Sequence, residues 1–190
     1  MKIFVATHNA HKLREIEEIL PSFTIVGDNP EGVEENAMDF VGNALIKVRA
    51  IAARHPGEWC MADDSGLEVE ALGGEPGVRS ARYAGEDGNT PKNNALLLKN
   101  LEGVKDRVAR FTCACALISP VGKEISVTGH CPGHIADEPS GCEGFGYDPL
   151  FIPDGYTVSF AELKPEEKNA ISHRGQALKK VQEVLLKCGY

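Results

Sequence analysis

Apolar positions set the rhythm of this chain, and their period changes from two to about three and a half several times along it. KIFVA at residues 2–6 reads as a strand, and after a polar loop Leu13, Ile16, Ile19 and Leu20 form a helical stripe that Pro21 stops. FTIVG, residues 23–27, is a second strand, and from about Ala37 to Arg54 a longer helix presents Phe40, Ala44, Val48 and Ile51 on one face. EWCMA predicts a strand ending at Asp63 and Asp64; a bend at Ser65 and Gly66 would follow, and then GLEVEAL as a separate strand of period two. Residues 73–89, rich in glycine and charge, read as a long functional loop, with Thr90 and Pro91 as cap and first turn of a helix over PKNNALLLKNL. RVARFTCACALIS and EISVTGHC flank the turn PVGK as a hairpin, and LFIP makes a short strand. A final helix from about Ser172 gathers Ala177, Leu178, Val181, Val184 and Leu185 on one face. Alternation of strand and helix early, with a hairpin in the middle, predicts an α/β fold built on a mixed β-sheet with flanking helices.

Composition narrows the setting. At 190 residues and 42% hydrophobic, the chain can bury a full core and is expected to be one domain, residues 1–190, with room for two lobes. Twenty basic residues face 28 acidic ones, a net charge of −8, which disfavours nonspecific contact with nucleic acid or an anionic membrane. An anionic ligand therefore needs a local cluster of positive groups. MKIFVATHNAHK lacks the apolar stretch of a signal peptide, and nowhere do roughly 20 apolar residues run together. Cysteines 60, 113, 115, 131, 142 and 188 include no CxxC pair, so reduced thiols in the cytoplasm are the simplest reading. In CAC, strand alternation puts Cys113 and Cys115 on one side, where core packing explains them better than redox or metal chemistry.

Four stretches can carry chemistry. In THNAHK, Thr7, His8, Asn9, Ala10, His11 and Lys12 pass from a strand into a helix start, where backbone N–H groups and the helix dipole suit phosphate oxygens and Lys12 adds a full charge. The glycine spacing of a Walker A loop is absent. Asp63 and Asp64 repel unless something positive holds them; a divalent cation does so, whereas the plainer alternative has one aspartate capping a turn and the other in water. Glu34 and Glu35 precede a helix that carries Lys47, so Glu35 can be aimed at the same metal. In EGFGYDP, glycines around Phe145 and Tyr147 leave open aromatic faces as a platform for a flat base, or the rings plug the edge of a core. Lys168, His173 and Arg174 cluster just before or within the start of the last helix, at the end where its dipole disfavours cations, which points to a ligand.

With THNAHK, ADDSGLEVEALGGEPGVRSARYAGE, FGYDPLF and EEKNAISHRGQAL in this order, the chain closely resembles the inosine/xanthosine triphosphate pyrophosphatase family from residue 2 to about 186. The resemblance implies an elongated mixed α/β fold with two lobes around a central active-site cleft, a homodimer, Mg²⁺ dependence, and cleavage of non-canonical purine nucleoside triphosphates to monophosphate and pyrophosphate. By position it implies that Thr7 to Lys12 and Lys47 bind the triphosphate, that Asp64 is general base and metal ligand with Glu35, and that Asp63 supports it. Ser65, Phe145, Gly146, Tyr147, Asp148, Lys168, His173 and Arg174 are implied nucleotide contacts. His8, Gly42, Cys142 and Glu143 depart from frequent family residues, and none removes a group the chemistry requires. The related septum-formation-type pyrophosphatases and a nucleotide sensor without turnover are the alternatives; a haloacid-dehalogenase phosphatase needs a D-x-D pattern that ADDSG lacks.

Overall fold

The computed structural model describes residues 1–189. Six strands, β1 (Lys2–Ala6), β2 (Thr24–Asp28), β3 (Trp59–Val69), β4 (Val108–Ile118), β5 (Glu124–Ile135) and β6 (Phe151–Pro153), form one sheet in the order β2-β1-β3-β4-β5-β6. The helices are α1 (Ala10–Ile19), α2 (Phe40–Arg54), α3 (Thr90–Asn100), α4 (Pro165–Ile171) and α5 (His173–Lys187). β1 lies parallel to both β2 and β3, and β5 runs antiparallel to β6, so the sheet is mixed as the alternation predicts. Among the described residues, no helix is long and apolar enough to cross a membrane.

The chain divides into two compact units. The first comprises residues 1–64, 113–129 and 173–190, and the second 65–112 and 130–172. In the first, Ile3, Val5, Ile16, Leu20, Trp59, Met61, Cys113, Cys115, Leu117, Ala177, Leu178, Val181 and Leu185 form one apolar core. α1 joins β1 to β2 and α2 joins β2 to β3, on the far side of β1; right-handed crossovers in opposite directions put these helices on opposite faces of the sheet. In the second unit, Leu67, Val69, Tyr83, Leu97, Leu101, Phe111, Tyr147, Phe151 and Phe160 pack together, with Phe111 edge-on to Phe151 at 4.7 Å between ring centroids.

Four elements differ from the sequence expectation. β3 is one strand of 11 residues that passes straight through ADDSG, with Ser65 and Gly66 inside it, so no bend follows the aspartates. Gly66 supplies no positive φ, and the apolar residues on either side of it are buried, which favours continued pairing over a turn. α2 begins at Phe40 rather than near Ala37, because Asp39 caps it and accepts from the Gly42 N–H at 2.6 Å. Asn89, not Thr90, caps α3, and a seven-residue α4, too short to show a period, precedes α5.

CAC behaves as read: Cys113 and Cys115 are buried, their sulfurs 3.9 Å apart in the first unit's core. In the same unit Gly129 of β5 lies directly against α5, where a Cβ would land on the His173 carbonyl and the Ala177 amide. Because backbone cannot move aside as a flexible side chain can, Gly129→Ala is expected to cost about 1–3 kcal/mol in urea unfolding; an unchanged midpoint would mean that α5 shifts freely.

Candidate functional site

Period-two alternation along β3 answers how two neighbouring aspartates are tolerated. Successive side chains leave a strand on opposite faces, so Asp63 and Asp64 make their direct contacts with different helices. Asp63, 1% exposed, faces α1 and α5: its Oδ2 lies 3.1 Å from Lys12 Nζ and 3.1 Å from Arg174 Nη2. Arg174, also 1% exposed, uses Nη1 to bind Glu15 of α1. Asp64 faces α2: Asn43 Nδ2 donates to its Oδ2 at 3.1 Å, and Lys47 Nζ stands 3.7 Å from its Oδ1.

Glu35 arrives from the irregular segment before α2 and meets the same ammonium, its Oε2 2.8 Å from Lys47 Nζ. Glu35 and Asp64, 29 positions apart in sequence, thus converge on one positive charge. Burial opposes the charged form of Lys47, but Asp64, Asp63 and Glu35 outweigh it and keep the amine protonated above its ordinary range. For Asp63, burial is likewise opposed by Lys12, Arg174 and Lys47, which hold the carboxyl well below the usual range. Asp64 comes out the other way: burial, aided by the Glu35 charge, exceeds the help of Lys47, Lys12 and Asn43, and its carboxyl titrates above the ordinary aspartate value. Two adjacent carboxylates therefore have opposite proton affinities, one locked as an anion and one inclined to accept a proton.

The loop after β1 completes this group. β1 lies between β2 and β3, so the chain leaves β1 for one neighbour and later returns to the other; the carboxyl end of such a strand is where open α/β sheets bind ligands. Thr7, His8 and Asn9 occupy that end, and Lys12 follows in the first turn of α1. The N–H groups expected to meet phosphate are partly taken: Asn9 Oδ1 accepts from His11 N at 3.0 Å and Lys12 N at 3.2 Å, and Asn9 N donates to Thr7 Oγ1 at 3.1 Å. Asparagine is among the strongest N-caps, so it satisfies these donors itself.

The remaining sequence candidates divide between the units. His173 and Arg174 open α5 in the first unit, both buried. Ser65, Phe145, Gly146, Tyr147, Asp148 and Lys168 belong to the second. There the buried Asp148 Oδ2 accepts from Lys168 Nζ at 2.7 Å and from the Phe145 N–H at 2.8 Å, and the Lys168 ammonium stands 5.0 Å from the centre of the Phe145 ring. Tyr147 does not offer an open face: its ring is in the core and its hydroxyl donates to the Ser80 carbonyl at 2.8 Å. The positive φ of Gly146 turns the chain just before it, directing the tyrosine inward. Asn43 and Glu15 were missed by sequence reasoning. The signal was there in helical spacing, since Asn43 precedes Lys47 by four residues and Glu15 follows Lys12 by three.

A divalent metal can be tested against these residues. Glu35 and Asp64 offer only oxygen, the donor a hard cation takes, and Lys47 shows that they accommodate positive charge between them. Among the described residues, no three His, Cys, Asp or Glu side chains are grouped to hold a metal by themselves. Two carboxylates suit Mg²⁺, which draws its other oxygens from phosphate and water. Charge balance agrees: Lys12, Lys47 and Arg174 face Glu15, Glu35, Asp63 and Asp64, so the cluster has no surplus of positive side-chain charge for a polyphosphate. The residues fit the ion.

These features define an α/β protein with a mixed sheet and a buried carboxylate pair on its third strand, each member matched to its own cations. The chain belongs to the Ham1 family, whose profile matches residues 3–184. It is 48% identical over 189 residues to a dITP/XTP pyrophosphatase of Mycobacteroides abscessus, covering 94% of this chain and 91% of that protein. A dITP/XTP pyrophosphatase of Desulforamulus reducens is also 48% identical, with 97% and 96% covered. Among solved structures, the Staphylococcus aureus Ham1 protein superposes with a TM-score of 0.87 at 38% identity, covering 98% of this chain and 99% of that one. The resemblance read from the four motifs is thereby borne out.

Arg174 is expected to be structural first. Replacing it with methionine leaves the buried Asp63 with Lys12 as its one remaining ion pair and takes the guanidinium from the half-buried Glu15, and a loss of about 3–5 kcal/mol in urea unfolding is expected. A loss below about 1 kcal/mol would show that water reaches Asp63 and takes the place of the guanidinium.

Proposed function

We propose that the chain is a nucleoside triphosphate pyrophosphatase that hydrolyses non-canonical purine nucleotides such as dITP, ITP and XTP to the monophosphate and pyrophosphate. The observation that carries this reading is the convergence of Glu35 and Asp64 on Lys47, beside an Asp63 held by Lys12 and Arg174. The naming of its relatives as dITP/XTP pyrophosphatases supports the substrate class.

Asp64 is the general base. Its carboxylate takes a proton from water, while Asn43 fixes one of its oxygens. The water oxygen bonds to the α-phosphorus, the bridging P–O bond breaks, and pyrophosphate leaves with the electron pair. Lys47 and Lys12 stabilise the charge that gathers on the phosphate oxygens, with the α1 dipole adding to it. Glu35 and Asp64 would hold Mg²⁺, which when bound offsets phosphate charge and polarises the reacting centre. Asp63 stays ionised and keeps the Lys12 ammonium in place.

Phe145, Asp148 and Lys168, tied together in the second unit, are the groups we assign to the base, with His173 beside Arg174 as a further contact. A donor that meets a 6-oxo group is left unpaired by adenine, a basis for discrimination of up to about 10⁴-fold. In this reading the enzyme clears deaminated purine nucleotides from the precursor pool as a cytoplasmic homodimer, and its free thiols suit a reducing compartment.

Incubation with dITP, XTP, ATP, GTP and dUTP plus Mg²⁺, with pyrophosphate and orthophosphate measured separately, is expected to show pyrophosphate first and fastest from dITP and XTP. Orthophosphate as first product would make the protein a phosphatase, and preference for dUTP would move it to the pyrimidine branch. Asp64→Asn is expected to lower kcat by at least about 10²-fold; near-normal turnover would remove Asp64 as the base.

A further inference from the structure

We infer that Asn43 is a positioning residue that fastens the segment bearing Glu35 to the carboxylate of Asp64, an inference that rests on the reading of the site given above. Asn43 is 1% exposed in the first turn of α2. Its Oδ1 accepts from the Ala37 N–H at 2.9 Å, and its Nδ2 donates to Asp64 Oδ2 at 3.1 Å. The amide has only one workable orientation, because a backbone N–H requires an acceptor and a carboxylate requires a donor. One side chain thus touches both the loop two residues after Glu35 and the base itself.

Residues 29–39 form no helix or strand, and the segment around Glu35 is held by side chains and single bonds: the Glu35 ion pair with Lys47 at 2.8 Å, the Asn36 N–H on the Glu34 carbonyl at 3.1 Å, and Asp39 Oδ1 accepting from the Gly42 N–H at 2.6 Å. Gly42 contributes by lacking a side chain: a Cβ there would stand 2.6 Å from Ala37 Cβ and push Ala37 away from Asn43. Asn43 also decides which Asp64 oxygen is presented. With Oδ2 engaged by the amide, Oδ1 faces Lys47 and, through it, Glu35. Loss of that hold should separate the two carboxylates without touching the nucleotide contacts.

Two variants separate the bonds. Asn43→Ala loses both, whereas Asn43→Asp keeps an acceptor for Ala37, keeps the volume, loses the donor to Asp64 and adds a negative charge beside it. Mn²⁺ binding followed by electron paramagnetic resonance, together with steady-state kinetics on dITP, distinguishes them. Asn43→Ala is expected to weaken Mn²⁺ binding by about 10-fold, the low end for a lost outer partner of a metal ligand. Asn43→Asp is expected to bind Mn²⁺ at least as tightly as wild type, because it supplies another carboxylate. Both should lower kcat by about 10-fold or more, with the KM for dITP within about threefold of wild type, since neither touches the nucleotide. If Asn43→Ala does not fold, the isosteric Asn43→Asp carries the test: lower kcat with Mn²⁺ affinity kept supports the role, and unchanged kcat overturns it. Folded variants that differ from wild type only in melting temperature make Asn43 an ordinary core residue. A wild type that neither binds Mn²⁺ nor releases pyrophosphate overturns the reading of the site and this inference with it; an active wild type with a silent Asn43→Ala overturns this inference alone.

Discussion

Alternation of side chains along β3 is the constraint on which the rest of the first unit depends. Two aspartates in succession would repel if they shared one pocket, but a strand sends them to opposite faces, and crossovers of fixed hand bring a different helix to each. On one face Asp63 meets Lys12 of α1 and Arg174 of α5. On the other Asp64 meets Asn43 and Lys47 of α2. Were the strand to end at Asp64 and turn, both carboxylates would lie free at its tip, and neither would be held within reach of its cations.

That separation also divides the labour. A carboxylate surrounded by two cations is a fixed anion, suited to holding Lys12 in place but not to moving a proton. Its neighbour, buried with one ammonium shared with Glu35, has its proton affinity raised by burial and by a like charge. The contrast arises within one dipeptide, from environment alone. Burial of Arg174 follows the same economy of charge: a guanidinium can bridge two carboxylates with separate nitrogens, as it does between Glu15 and Asp63, which a lysine would do less well.

Much of this was legible in the residues. KIFVA, the stripe from Leu13 to Leu20, the hairpin around PVGK and the apolar face of the last helix each carry a local period, and each appears where the period puts it. CAC was readable for the same reason. ADDSG misled because serine and glycine after two charges resemble a turn, while the pairing that keeps the strand extended comes from neighbours outside the local sequence. For Tyr147 the sequence left two readings, an open face or a plug at the edge of the core, and the second holds because the ring is drawn into a core whose other members lie far along the chain.

The amino-acid sequence by itself determined the types of element, the mixed α/β class and the family, because periodicity and ordered motifs are local properties that survive reading along a line. Only the tertiary structure decided which face each aspartate looks toward and which partner meets it, since Arg174 reaches Asp63 across 111 positions and Asn43 reaches Asp64 across 21. Opposite charges attract whatever their spacing in the chain, so the sequence supplies the candidates for pairing. Helix placement on a sheet of fixed twist and hand selects among them.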